Sequence, residues 1–229
     1  MIRDPELINQ LVDTIARFVR ERLIPNEARL AEEDAVPSEI LAEMKEMGLF
    51  GLSIPEEYGG LGLTMEEEAL VAMEIGKTSP AFRSVFGTNN GIGAQGILID
   101  GTDEQKAKYV PRLATGEILS SFCLTEPDSG SDAASLRTTA VQDGDDYILN
   151  GTKRYITNGP EADLFTVMAR TDPENKGAGG ISAFIVEGNT PGLVRGPADN
   201  KMGQKGAHTC DIIFDNCRVP AENIIGGKE

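Results

Sequence analysis

Phe122-Cys-Leu-Thr-Glu-Pro-Asp-Ser-Gly-Ser-Asp132 is the segment of this sequence best equipped for chemistry. It reads as a short strand running into a loop of hydroxyls, carboxylates and glycine, and the backbone N–H groups of such a loop can wrap a phosphate. Composition alone favours a plainer account, a turn held by Asx and Ser side chains. A second element, Lys153-Arg-Tyr-Ile-Thr-Asn-Gly159, shifts the balance. On an extended strand alternate residues share a face, so Tyr155 and Thr157 present a planar ring beside a hydroxyl donor.

Other candidates carry less. Gly91-Ile-Gly-Ala-Gln-Gly96 matches the pattern GxGxxG, but a dinucleotide site needs a strand before it and an acidic residue about 20 positions on within a βαβ unit. The surroundings read helical, and close helix packing accounts for these glycines. His208 is the single histidine; at a strand entry it reads as structural, with general-base chemistry the lesser reading. The carboxylates of Glu56, Glu57 and Glu66 to Glu68 read as solvated faces. Cys123, Cys210 and Cys217 lack CxxC spacing, so neither a disulfide framework nor a zinc site is expected, and one histidine leaves no basis for a His-rich metal site. Met44, Met47, Phe82, Phe86 and Leu98 could line a pocket, but such stripes are more often core.

The elements that must hold these residues fall into two textures. Residues 5–33 carry Leu7, Leu11, Ile15, Phe18 and Val19 at helical spacing, with Pro25 predicting an interruption. Residues 38–47 repeat the pattern, with Gly48 as a stop. Thr64 with Glu67, and Thr102 with Gln105, have the spacing of capping boxes before further helices. After Gly116 come short β-branched or aromatic runs, separated by the turn dipeptides Asp143-Gly144, Asn150-Gly151 and Asn158-Gly159. Residues 172–180 read as an exposed loop. Helices followed by strands, without alternation, predict an α+β chain: an N-terminal all-α helical domain, residues 1–117, then an antiparallel β domain, residues 118–229.

The net charge is −16, and both halves are acidic. That balance argues against nucleic-acid and membrane-surface roles. An anionic ligand would have to be held by local N–H donors or a few placed cations. No apolar run reaches the roughly 18 residues of a membrane span, and the start is charged, so the expected location is cytoplasmic.

PEEYGGLGL, CLTEPDSGSD, NGTKRYITNG and GQKGAHTCDIIFDNCRVPAENIIGG, in that order, resemble the acyl-CoA dehydrogenase family over the whole chain. The resemblance implies an N-terminal helical domain, a middle β-barrel-like domain and a C-terminal helical bundle. It implies FAD as cofactor, with Phe122, Leu124 and Thr125 along the isoalloxazine, Tyr155 and Ile156 against it, and Thr157 near flavin N5. Ser131 would meet the flavin pyrophosphate or the CoA chain of the substrate. Tyr155 stands where many members have tryptophan. The implied reaction is α,β-dehydrogenation of an acyl-CoA thioester, with an electron-transfer flavoprotein as acceptor and a homotetramer as the usual assembly. The family's catalytic glutamate lies in the C-terminal bundle, and this sequence stops at Gly226-Gly-Lys-Glu229, about where that bundle begins. No residue here is assigned as the base, and residues 1–229 alone are expected to be inactive and weak in flavin. Related flavin oxidases and monooxygenases share this scaffold and are the first alternative; a non-catalytic interaction module is the second.

Overall fold

A computed structural model describes residues 2–227. Its first half comprises α1 (Pro5–Phe18), α2 (Glu27–Glu33), α3 (Ser38–Glu46), α4 (Met65–Ile75), α5 (Pro80–Asn90), α6 (Gln95–Asp100) and α7 (Asp103–Ala114). Both capping boxes form. The Thr64 N–H donates to Glu67 Oε2 at 2.8 Å, and the Thr102 N–H donates to Gln105 Oε1 at 3.0 Å. The predicted interruption at Pro25 is drawn out: a π turn (Val19–Leu23) and a 3-10 turn (Ile24–Asn26) separate α1 from α2. Gly48 ends the α3 region in the left-handed conformation, φ 73°. Met44, Phe82 and Phe86 are buried with Ile15, Leu23 and Phe50, so they belong to the helical core. Glu67 also receives the Arg3 backbone N–H at 2.9 Å. That N–H and the one from Thr64 hold its carboxyl down at about 2.

The second half comprises β1 (Ser120–Cys123), β2 (Thr139–Asp143), β3 (Asp146–Thr157), β4 (Leu164–Arg170), β5 (Ile181–Glu187), β6 (Leu193–Arg195) and β7 (Thr209–Pro220). They form one curled sheet in the order β1-β4-β2-β3-β7-β6, with β5 on β4. The β2–β3, β3–β7, β6–β7 and β4–β5 pairs are antiparallel. The sheet is nonetheless mixed, because β1 pairs with β4 in parallel from Ser120↔Leu164 to Cys123↔Val167. The β2–β3 hairpin intervenes between them, a connection long enough to return the chain in the same direction. Phe165, Phe184, Leu149 and Ile212 fill the space the sheet encloses.

One turn signal is corrected. Asp143-Gly144 does close the β2–β3 hairpin, with Gly144 at φ 65°. Asn150-Gly151 instead lies inside β3, at a register shift against β7. The glycine is required there by close approach, since a Cβ on Gly151 would lie 2.4 Å from Thr138 Oγ1.

Asn89, fully buried at the end of α5, joins the two halves. Its amide donates to the carbonyls of Leu113 at 3.0 Å and Ile118 at 2.8 Å, and its oxygen accepts the Ser120 N–H at 2.8 Å. The GxGxxG segment sits in this joint, running from the turn after α5 into the first residues of α6, and among the described residues no strand precedes it. A Cβ on Gly93 would lie 2.2 Å from Ser120 Oγ. The motif therefore serves close packing.

Candidate functional site

The β1 extension runs alongside the end of β3, and three hydrogen bonds stitch them together. Ser121 Oγ donates to the Thr157 carbonyl at 2.6 Å, the Arg154 N–H to the Thr125 carbonyl at 2.7 Å, and Lys153 Nζ to the Leu124 carbonyl at 3.2 Å. Asn158, at φ 59°, closes the corner by donating to the Ser84 carbonyl at 3.0 Å and to Thr88 Oγ1 at 2.9 Å. Between these segments lies a cleft of about 160 Å³ lined by Thr88, Ile92, Phe122, Leu124, Thr125, Tyr155, Ile156 and Thr157.

Six of the seven residues singled out in the sequence thus share one surface. Thr125 and Thr157 contribute hydroxyls that, among the described residues, have no side-chain hydrogen-bond partner. Tyr155 reaches the cleft by a different route from simple alternation. The pairing of β3 with β7 slips between Lys153↔Ile212 and Ile156↔Cys210, giving β3 an extra residue, and Tyr155 takes φ 58°. An aromatic residue in that region is an outlier, and Tyr155 stands 61% exposed at the cleft rim.

Behind the cleft lies a buried ion pair. Lys153 Nζ donates to Glu126 Oε1 at 2.8 Å, with both side chains nearly inaccessible. Glu126 also accepts the N–H groups of Arg137 at 2.6 Å and Thr138 at 2.9 Å, and the Thr138 hydroxyl at 2.5 Å. Burial pushes the Glu126 carboxyl up, but Lys153 and these donors outweigh it and hold it below the usual range. Burial also lowers Lys153, with Glu126 opposing. The pair fastens the Ser/Gly/Asp loop to β3 while Leu124 and Thr125 stay at the cleft.

The model for the acyl-CoA dehydrogenase N-terminal domain matches residues 5–117, and that for the middle domain matches residues 121–217. The chain belongs to the acyl-CoA dehydrogenase family. It is 43% identical over 209 residues to an acyl-CoA dehydrogenase of Bacillus subtilis, covering 91% of this chain and 55% of that protein. Among solved structures, a chain from work on the electron transferring flavoprotein of Acidaminococcus fermentans aligns with TM-score 0.92 and 39% identity, covering 100% of this chain and 60% of that one. A Mycobacterium smegmatis glutaryl-CoA dehydrogenase in complex with FADH2 aligns with TM-score 0.89 and 36% identity, covering 99% and 56%. The chain thus spans little more than half the length of these relatives.

In this acyl-CoA dehydrogenase family chain the remaining candidates lie away from the cleft. Ser131 is exposed on the loop beyond it, next to the Ser129 Oγ bond to the Asp132 carbonyl at 2.7 Å. His208 bridges the halves: Nε2 lies 2.8 Å from the Asp34 carbonyl oxygen, and Nδ1 contacts the Glu161 carboxylate. The three cysteines are buried and unpaired, and burial pushes Cys217 up to about 11. Among the described residues no cluster could hold a metal ion, and no helix is long and apolar enough to cross a membrane.

Sequence reading missed Glu126, Lys153, Thr88 and Ile92. Lys153 left a signal: Tyr147, Leu149 and Lys153 occupy one face of β3 at period two, so a lysine stands at a core-facing position and calls for an acid. Thr88 and Ile92 reach the cleft from α5 and the turn after it, which no local pattern shows.

Proposed function

We propose that the cleft holds one face and the polar edge of the FAD isoalloxazine, and that the complete protein dehydrogenates an acyl-CoA thioester to its enoyl-CoA. The observation that carries the reading is the pair of unpartnered hydroxyls, Thr125 and Thr157, flanking an apolar surface with an aromatic ring at its rim. A closed small-molecule site usually encloses about 300–1,000 Å³, so a cleft of 160 Å³ suits part of a planar ring and not a whole dinucleotide. The residues present fit that part. Phe122, Leu124 and Ile156 supply apolar contact, Tyr155 a stacking ring, and the two threonines hydrogen bonds.

Bound FAD would supply the capacity to accept a hydride. This chain's residues orient the ring and exclude water from one side of it. Ser131, on the loop fastened by Glu126 and Lys153, is assigned to the pyrophosphate or the CoA chain. No carboxylate lines the cleft among the described residues, so we assign the proton-abstracting base to none of residues 2–227. The division near Glu117, a cytoplasmic location, and a homo-oligomer when complete belong to the same reading. An electron-transfer flavoprotein is the assigned acceptor, supported by the alignment with TM-score 0.92 noted above.

Titration of the complete polypeptide with FAD, followed by quenching of flavin fluorescence, tests the site. Saturable uptake that weakens in a Thr125→Val/Thr157→Val variant is expected. Equal uptake by both proteins would remove the basis of the assignment. Turnover of acyl-CoA with an electron-transfer flavoprotein then tests the activity.

A further inference from the structure

Tyr155 is an exposed aromatic ring on a backbone conformation that aromatic residues seldom adopt, and nothing in the hydrophobic core holds it. The ring contact the structure shows is with its neighbour: the Arg154 guanidinium lies 4.5 Å from the Tyr155 ring centroid. Arg154 is itself anchored. Its Nη1 donates to Asp211 Oδ1 at 2.7 Å, and its Nη2 lies 3.8 Å from Asp199 Oδ1. Asp199 in turn accepts the Thr209 hydroxyl at 2.7 Å. The Arg154 backbone N–H is the one that meets the Thr125 carbonyl, so a single residue ties both cleft walls to Asp211 on β7 and to Asp199 in the segment before it. A planar guanidinium can pair with carboxylates along its edge while its face carries a ring; an ammonium has no such face.

We propose that Arg154, anchored by Asp211 and Asp199, is a positioning residue that holds the Tyr155 ring as a fixed wall of the cleft, preorganised for a flat aromatic ligand. The inference rests on the flavin reading above for the identity of that ligand. Holding the ring before binding removes the ordering cost that a free side chain would impose on the complex. The two carboxylates hold the guanidinium by its edge, so the face offered to the ring is fixed in place.

The test is ¹⁹F NMR of the complete polypeptide carrying 3-fluorotyrosine, without flavin, followed by flavin titration of the same samples. The sequence has four tyrosines, so the Tyr155 resonance is identified by its loss in Tyr155→Phe. Arg154→Met should shift and broaden that resonance, Asp211→Asn should move it the same way by less, and Arg154→Lys should restore it only in part. Flavin affinity should fall about 2- to 5-fold in Arg154→Met, the scale of one exposed cation–π contact. Thermal melts confirm that each variant is folded, and Arg154→Lys serves if Arg154→Met is not. An unchanged Tyr155 resonance in both Arg154 variants overturns the clamp. A changed resonance with unchanged flavin affinity overturns its role toward the ligand. A changed resonance in a protein that takes up no flavin at all leaves the clamp standing and defeats the flavin reading instead.

Discussion

Lys153 and Tyr155 are two positions apart on β3, and the fold treats them oppositely. Lys153 turns inward to complete exclusion from solvent and spends its charge on Glu126, which three further donors satisfy. Tyr155, displaced by the bulge between them, faces outward at 61% exposure with the hydroxyls of Thr125 and Thr157 unpartnered nearby. A signature segment therefore divides into residues that fasten a loop and residues held free for a ligand. The bulge separates the two sets.

The largest effect should come from the fastened side. Lys153→Met leaves the Glu126 carboxylate buried without its counter-charge, and urea unfolding should show a loss of about 3–5 kcal/mol. Adding Glu126→Gln should recover most of it; a small loss in the single variant would mean that Glu126 is not held as described.

Acid sharpens the contrast, because the fastened regions depend on ionised carboxylates. Glu67 is held at about 2 against a usual 4.5, so its contribution is complete above 4.5 and is lost as pH falls from there toward 2. Glu126, also held below its usual value, loses its contribution in the same direction. Thermal melts across that window should fall steeply, and Glu67→Gln should flatten the slope. An identical slope in the variant would assign acid sensitivity elsewhere.

On the free side, Tyr155→Gly should change stability by less than about 1 kcal/mol, because relief of the left-handed conformation roughly offsets the entropy of glycine. Flavin affinity should nonetheless drop. The smallest stability change belongs to Thr125→Val and Thr157→Val, within about 0.5 kcal/mol, since neither hydroxyl has an internal partner to lose. A large destabilisation in either would place that threonine with the fastened residues.

Much of this was legible in the sequence because it rests on local chemistry. Capping boxes at Thr64 and Thr102, the stop at Gly48 and the hairpin at Asp143-Gly144 each depend on a few neighbouring residues. The gathering of Phe122, Leu124, Thr125, Tyr155, Ile156 and Thr157 was legible through two motifs and a family resemblance. What escaped depends on distant partners. The parallel β1–β4 pair follows from the hairpin between them, and Asn150-Gly151 continues a strand because Thr138 crowds it. The bulge at Tyr155 is set by pairing with β7, more than 50 residues on. Ser131 shows the converse: its motif is clear, yet the cleft does not include it.

The most direct test of the cleft assignment is a crystal structure of the complete polypeptide loaded with FAD. The account predicts the isoalloxazine against Phe122, Leu124 and Ile156, with its polar edge within hydrogen-bond distance of Thr125 Oγ1 and Thr157 Oγ1 and the Tyr155 ring beside it. A flavin ring bound elsewhere, with both threonine hydroxyls still unpartnered, would contradict it.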